Sequence, residues 1–227
     1  PMFKKWLYPR SAGFIAQTKR AAEFKHKQFG NKLNIAVIPN ALREVSLYPD
    51  IKREKIILYV GRFAWEKGPD RLIRAYASLI NPEKWKLIMA GSGPLLKPMK
   101  ELAIQLNKKE SIIFTGKVED VDQLYSIAGI YVLPSVLEGF PNSLCEAMAA
   151  GLPVICYDSI AWEEILEDGI SGIVVKGNEN TGLTNALQKL ICDERLRHKL
   201  GDNAVSIRER LNVEKIGKQV EEFIFSQ

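Results

Sequence analysis

From residue 55 onward the chain alternates between short apolar runs and stretches with helical spacing. The runs fall at Ile56–Val60, 85–90, 112–115, Ile130–Leu133, Val154–Tyr157 and 172–175. They are continuous rather than alternating, the pattern of strands buried on both faces. Between them, a helix opens at Pro69 and places Leu72, Ile73, Tyr76, Leu79 and Ile80 on one face. Further helices are predicted over 95–106, 121–128 and 143–150, the last stopped by Gly151 with Pro153 beyond it. Trp162-Glu163-Glu164 predicts the start of another amphipathic helix. After Val175 the pattern is helical over 183–191, 194–200, 203–211 and 213–225. Strand and helix in strict alternation predict an α/β fold, a Rossmann-like parallel sheet with helices on both faces.

The first 54 residues read differently. Short strands at 14–16 and 34–38 flank a helix over 19–29 that ends at Gly30, and a polar, proline-containing connection follows from 39 to 54. We expect residues 1–40 to be a stub of a preceding domain with its linker. Residues 41–212 are expected to form the Rossmann-like domain, and 213–227 a helix packing back toward the preceding domain.

Charge sharpens this division. The chain of 227 residues carries a net charge of +5, but residues 1–27 hold seven Lys/Arg against the single acid Glu23. The main body is therefore nearly neutral, and a nucleic-acid partner is not expected. With 46% hydrophobic and 26% charged residues the composition is that of a globular protein. Neither a membrane-spanning run nor a secretory signal is expected, since Lys4 and Lys5 lead into Trp6-Leu7-Tyr8-Pro9-Arg10. Three cysteines without a Cys-x-x-Cys, and two histidines in charged surroundings, argue against a disulfide framework, a structural zinc or a Ser-His-Asp triad.

Three strand-to-helix connections carry candidate chemistry, at the strand ends where open parallel sheets bind ligands. In Gly61-Arg62-Phe63-Ala64-Trp65-Glu66-Lys67-Gly68, two cations share one loop, suited to a diphosphate or simply solvated. Gly91-Ser92-Gly93-Pro94 resembles a phosphate turn, but Leu96 stands where a dinucleotide fingerprint has its third glycine, so a tight turn opening a helix is the plainer reading. In Glu138-Gly139-Phe140-Pro141-Asn142-Ser143-Leu144-Cys145-Glu146, a glycine-containing loop enters a helix. Backbone N–H groups near 140–144 are expected to be unpaired and, with the helix dipole, to form an anion site. The flanking carboxylates of Glu138 and Glu146 suit sugar or ribose hydroxyls. The alternative is that Glu138 caps the helix and Glu146 faces solvent.

These segments, with Phe114-Thr115-Gly116 and Gly151-Leu152-Pro153-Val154-Ile155, stand in the order seen in retaining glycosyltransferases of family 4, the glycosyl transferases group 1 with GT-B fold, which the chain resembles over about residues 33–225. The resemblance implies that Arg62 and Lys67 neutralise a leaving nucleoside diphosphate and that Glu138 binds hydroxyls of the transferred sugar. It also implies that Gly61, Gly139, Phe140, Asn142, Ser143 and Leu144 approach the donor, that Glu146 holds the ribose, and that Gly116, Lys117 and Val118 border the base. No cofactor and no metal are expected, in keeping with the lack of an Asp-x-Asp.

A complete enzyme of this kind has a second Rossmann-like domain for a glycan or lipid-linked acceptor. The chain is therefore expected to be the donor-binding half, inactive alone, of a hexosyltransferase of polysaccharide or lipopolysaccharide assembly. A cytoplasmic place, peripheral on the inner face of the plasma membrane, follows by analogy. Basic residues among Phe3, Trp6, Leu7 and Tyr8 suit an anionic membrane surface, or a solvated, frayed end. Other readings are a binding or membrane-docking module without transfer, a sugar-nucleotide epimerase of the same fold, and a phosphorylase, which lacks an evident pyridoxal lysine motif.

Overall fold

The computed structural model describes residues 6–30, 33–46, 48, 51–80, 84–177 and 179–226. Phe3, Lys4 and Lys5 therefore lie outside the described residues. The chain divides into two units, one of residues 1–43 with 208–227 and one of residues 44–207.

In the first unit, strand β1 (Phe14–Ala16) leads into helix α1 (Lys19–Phe29) and then strand β2 (Ile35–Val37), which pairs parallel with β1. The Thr18 hydroxyl caps α1 by accepting from the Ala21 N–H at 3.1 Å. Gly30 ends it at φ 86° and returns its N–H to the His26 carbonyl. The C-terminal helix Val213–Phe225 is capped by Asn212, and the Leu42 N–H reaches the Leu211 carbonyl at 2.8 Å, joining the two stretches of chain. Much apolar surface stays open here: Trp6, Phe24, Ile224 and Phe225 are all exposed.

The second unit is built on strands β3 (Ile56–Val60), β4 (Lys86–Ala90), β5 (Ile112–Gly116), β6 (Ile130–Leu133), β7 (Val154–Tyr157) and β8 (Ile173–Val175). All neighbours are parallel, in the order β5-β4-β3-β6-β7-β8. The connecting helices are α2 (Pro69–Ala77), α3 (Leu96–Gln105), α4 (Val121–Ile127), α5 (Asn142–Ala149), α6 (Asn180–Cys192) and α7 (Glu194–Ala204). On one face α2 packs between α3 and α6; on the other lie α4 and α5, and α7 touches both α5 and α6. The expected fold class is therefore the observed one. Strands β6 and β7 are buried along their whole length, as their unbroken apolar runs require. Ile57, Tyr59, Leu72, Tyr76, Leu87 and Leu187 belong to one continuous core. Tyr125 and Tyr131 meet edge-on at 6.0 Å.

Four local expectations are corrected. The helix opened by Pro69 stops at Ala77, where the bonds tighten: Ser78 N–H is shared between the Arg74 and Ala75 carbonyls and Leu79 N–H bonds that of Tyr76; Ile80 is left 72% exposed. β5 is an edge strand, so Ile113 and Thr115 face outward rather than into a second layer. The 203–211 stretch is not one helix: α7 ends at Ala204, the Ser206 hydroxyl takes the Asn203 carbonyl, and a short turn follows at Ile207–Arg210. Trp162–Glu164 is a single 3-10 turn. Cys145 and Cys156 are buried, as their apolar neighbours suggest, and Cys192 is exposed.

Candidate functional site

The strand order places a topological switch between β3 and β6. β3 hands the chain to β4 on one side, while β6 lies on the other. The connections leaving the carboxyl ends of these two strands diverge and open a crevice. Both candidate loops, 61–68 and 134–141, are these connections.

Glycines let the main chains approach closely there. The Gly61 N–H bonds the Ala90 carbonyl at 3.0 Å, Phe63 N–H bonds the Ser92 carbonyl at 2.9 Å, and Leu95 N–H bonds the Phe63 carbonyl at 2.9 Å. A Cβ on Gly91 (φ 137°) would lie 1.9 Å from the Gly61 carbonyl oxygen, and one on Gly93 would lie 2.5 Å from that of Phe63. The 91–94 turn thus buttresses the 61–63 loop and leads into α3, and its four residues also line the neighbouring cleft. Above it opens a cleft of about 410 Å³ lined by Gly61, Arg62, Ser92, Lys117 and Val118 among others. The Tyr59 hydroxyl donates to the Arg62 carbonyl at 2.8 Å and fixes the loop from below. Burial pushes the Tyr59 phenol well above its usual range, with the charges of Glu138 and Glu66 adding to the shift. The Arg62 side chain is exposed, and its guanidinium has no hydrogen bond to another described residue.

The two loops are tied together. The Glu66 carbonyl accepts the Val136 N–H at 2.9 Å, and a Cβ on Gly68 (φ 56°) would lie 2.3 Å from the Pro134 carbonyl oxygen. Across this seam the Lys67 ammonium meets both oxygens of Glu138, at 2.6 and 2.8 Å. The Glu138 side chain is only 7% exposed and that of Lys67 is 26% exposed. The fully buried Ser135 hydroxyl donates to Glu138 Oε1 at 2.8 Å. A carboxylate this enclosed needs such partners. Glu138 therefore turns back to Lys67 and does not cap the helix.

Helix α5 begins without a side-chain cap, at Pro141. The expectation that the amides near 140–144 are unpaired holds less widely than proposed. Asn142 N–H bonds the Phe140 carbonyl at 3.0 Å and Leu144 N–H bonds that of Pro141 at 3.0 Å, because a turn closes ahead of the helix. Glu146 is half-buried rather than solvent-facing: the Tyr125 hydroxyl donates to its Oε2 at 3.0 Å. Tyr131, whose phenol burial keeps neutral well above its usual range, donates to the Ser143 hydroxyl at 2.8 Å.

The candidate residues are therefore grouped in three neighbouring places. Gly61, Arg62, Lys117 and Val118 line the cleft; Lys67 and Glu138 sit on the seam; Ser143 and Glu146 lie on the first turns of α5. Gly116 (φ 73°) gives its carbonyl to Gly91 N–H at 2.7 Å, Gly139 and Asn142 are exposed, Phe140 is half-buried and Leu144 is buried; none of these five lines the cleft. Sequence reasoning missed Ser135, Tyr59, Tyr125 and Tyr131. Ser135 lies inside a segment singled out for its chemistry, but the tyrosines read as apolar positions; the hydroxyl of Tyr59 turns to Arg62 three residues on, and those of Tyr125 and Tyr131 find partners on α5. Among the described residues no three His, Cys, Asp or Glu side chains are grouped so as to hold a metal ion.

A larger groove of about 720 Å³ lies at the opposite edge of the sheet, lined by Arg53, Trp85, Gly129, Pro153 and Arg197 among others. Its arginines are occupied. Arg53 donates to the carbonyls of Tyr125 and Ala128 at 2.9 Å, and to that of Ala150. Arg197 donates to the carbonyls of Leu190 and Ile191 and lies 5.2 Å over the Trp85 ring. These carbonyls end helices α4, α5 and α6, so the cations neutralise helix C-termini.

The family model described as glycosyl transferases group 1 matches residues 48–206. An uncharacterised glycosyltransferase of Methanocaldococcus jannaschii is 31% identical over 183 residues, covering 79% of this chain and 46% of the relative. The lipopolysaccharide core biosynthesis mannosyltransferase LpcC of Rhizobium leguminosarum is 27% identical over 214 residues, covering 89% of this chain and 61% of the relative. The crystal structure of Anabaena HepE in complex with UDP and glucose superposes with a TM-score of 0.90 at 22% identity, over 100% of this chain and 66% of that one. The chain thus spans about half to two thirds of the length of these proteins.

Proposed function

The chain belongs to the glycosyl transferases group 1 family, and from that premise we propose that its second unit binds a nucleoside diphosphate sugar and presents the sugar for transfer with retention of anomeric configuration. The observation that carries this reading is the Lys67–Glu138 contact at the switch point, beside the open guanidinium of Arg62. An ammonium and a guanidinium beside the cleft suit a diphosphate. A carboxylate between them and α5 suits the hydroxyls of the attached sugar, and Glu146, steadied by Tyr125, suits the ribose diol. The Lys117 and Val118 edge of the cleft, with Gly116 just before it, then borders the base.

In the proposed transfer the bond from the anomeric carbon to the diphosphate oxygen breaks and the acceptor hydroxyl forms the new bond on the same face. Its proton leaves with the diphosphate. Arg62, Lys67 and the N-terminus of α5 stabilise the charge that develops on the leaving group, so that the chain's own groups supply what a metal supplies elsewhere. A hexose donor and a glycan or lipid-linked acceptor of polysaccharide assembly fit the relatives' descriptions. In this reading the first unit belongs to a larger acceptor-binding domain; its open Trp6, Phe24, Ile224 and Phe225 support that. The chain by itself then binds donor without transferring it.

Arg10 stacked at 4.5 Å on the exposed Trp6 favours a second role for the first unit, docking at an anionic membrane on its inner, cytoplasmic face. Among the described residues no helix is long and apolar enough to cross a membrane. Sedimentation with phosphatidylserine vesicles, with and without residues 1–27, tests this; equal binding retires it.

The donor reading is tested by calorimetric titration with UDP, GDP and ADP and their glucose or mannose conjugates, beginning with UDP, the nucleotide bound in HepE. Arg62→Ala or Glu146→Ala is expected to weaken binding by about 1.5–3 kcal/mol, the worth of charged hydrogen bonds. Failure of every nucleotide to bind, or unchanged affinity in both variants, overturns it.

A further inference from the structure

The chain's two candidate donor-binding side chains meet each other: the Lys67 ammonium bonds both oxygens of Glu138. A donor that takes Lys67 for its diphosphate removes the countercharge from a side chain only 7% exposed. One donor stays behind. Ser135 is fully buried, and its hydroxyl already points at Glu138 Oε1 at 2.8 Å. The two partners differ in what they can do. Lys67 is partly open and carries its ammonium on a flexible four-carbon stem. Ser135 has a short side chain on an anchored backbone. The Ser159 hydroxyl donates to the Ser135 carbonyl at 3.0 Å, the next residue's N–H bonds the Glu66 carbonyl at 2.9 Å, and the preceding carbonyl is packed against Gly68. Lys67 is therefore the partner that can move, and Ser135 the one that stays.

We propose that Ser135 is the positioning residue for sugar recognition: its hydroxyl holds the Glu138 carboxylate at the seam while Lys67 leaves it for the diphosphate. The inference rests on the donor-binding reading above and adds to it the residue that orients the sugar-binding carboxylate. The nucleoside diphosphate is felt by Lys67 and Arg62. The sugar is felt by Glu138 in the orientation that Ser135 fixes. With one carboxylate oxygen committed to Ser135, the other is the one presented to sugar hydroxyls.

The test compares nucleotide pairs with and without the sugar: UDP with UDP-glucose, GDP with GDP-mannose, and ADP with ADP-glucose. For the pair the wild-type chain prefers, the ratio of the two dissociation constants is the sugar increment. Ser135→Ala is expected to weaken binding of the bare diphosphate somewhat, since that too draws Lys67 from Glu138, and to weaken binding of the sugar conjugate about tenfold more, cutting the increment about tenfold for the lost hydrogen bond to a charged group. Ser135→Thr, which keeps the hydroxyl, is expected to restore it. A merely structural serine would lower melting temperature and both affinities together, and would leave the increment unchanged. Where Ser135→Ala fails to fold, Ser135→Cys decides: it keeps the volume with a weaker donor, and an increment equal to wild type overturns the proposal. A wild-type chain that binds the diphosphate with no sugar increment also overturns it. A wild-type chain that binds no member of the three pairs overturns instead the donor-binding reading on which it rests.

Discussion

The two ends of the second unit's sheet use the same materials in opposite ways. At the amino ends of the strands, Arg53 and Arg197 give their hydrogen bonds to the last carbonyls of helices α4, α5 and α6. At the carboxyl ends, the main chain satisfies itself through glycine-permitted contacts between the 61–63 and 91–95 segments, and Arg62 is left with its guanidinium exposed. The larger groove is at the first end, the candidate chemistry at the second. What distinguishes the proposed binding end is Arg62, whose guanidinium, unlike those of Arg53 and Arg197, bonds no other described residue.

That contrast is broken most severely by Gly91→Ala. A methyl 1.9 Å from the Gly61 carbonyl oxygen, at φ 137°, has nowhere to go without separating β3 from β4 at their ends. We expect a loss of about 3–5 kcal/mol in urea unfolding together with loss of nucleotide binding. Arg53→Ala comes next, at about 2–3 kcal/mol, because carbonyls of two helix ends lose a charged donor. In conditions where the variant is folded its nucleotide affinity is expected to match wild type. Weakened binding there would mean the two edges are coupled and the division drawn above is wrong.

Arg62→Ala is the mirror image. Its guanidinium supports no other described residue, so the melting temperature is expected to stay within about 2 °C while affinity for a nucleoside diphosphate drops by about 1.5–3 kcal/mol. Tyr125→Phe acts more mildly, by about 1 kcal/mol in affinity, since Glu146 keeps its place on α5 and loses one donor. Calorimetry on both variants checks the ranking; a larger effect from Tyr125→Phe than from Arg62→Ala would reverse the order of importance assigned to diphosphate and ribose.

The strands and the candidate residues at their carboxyl ends were legible in the sequence for local reasons, whereas Arg53 and Arg197, whose partners lie on other segments, were not. Unbroken apolar runs such as Ile130–Leu133 and Val154–Tyr157 gave the buried strands, and a proline followed by helical spacing gave α2. The Arg62, Lys67, Glu138 and Glu146 candidates stood out because charged residues beside glycines at strand ends are unusual in pattern as well as chemistry. The edge position of β5 was not legible, since Ile112-Ile113-Phe114 reads as interior and only the strand order shows that nothing covers Ile113. Nor was the fate of the amides around Asn142, because the turn that pairs them depends on backbone geometry set at Pro141. Ser135 and Tyr125 escaped for a third reason. Their roles are contacts across 3 and 21 residues that need the folded loop and the α4 face to exist.

The smallest effect concerns alkaline stability and separates the two edges once more. Tyr59 at the binding edge, Tyr131 on β6, and Tyr76, whose hydroxyl reaches the Trp85 carbonyl at 2.7 Å near the other edge, all have phenols raised above the usual value of 10.0, by burial first. Each is neutral when folded and ionises more readily when unfolded. Their contribution is therefore complete below pH 10 and is lost as pH rises from 10 toward the folded values. Above pH 10 each such tyrosine costs stability at up to about 1.4 kcal/mol per pH unit, as the unfolded chain releases a proton that the folded chain retains. Tyr59→Phe removes one of these protons. It is expected to be less stable than wild type at pH 8 by about 1 kcal/mol, for the lost bond to the Arg62 carbonyl, and to close that gap between pH 10 and pH 11. Urea unfolding at pH 8, 10 and 11 measures the gap. Parallel stability profiles would show that the Tyr59 phenol is free to ionise in the folded chain, and that the floor of the binding edge is wetter than its burial implies.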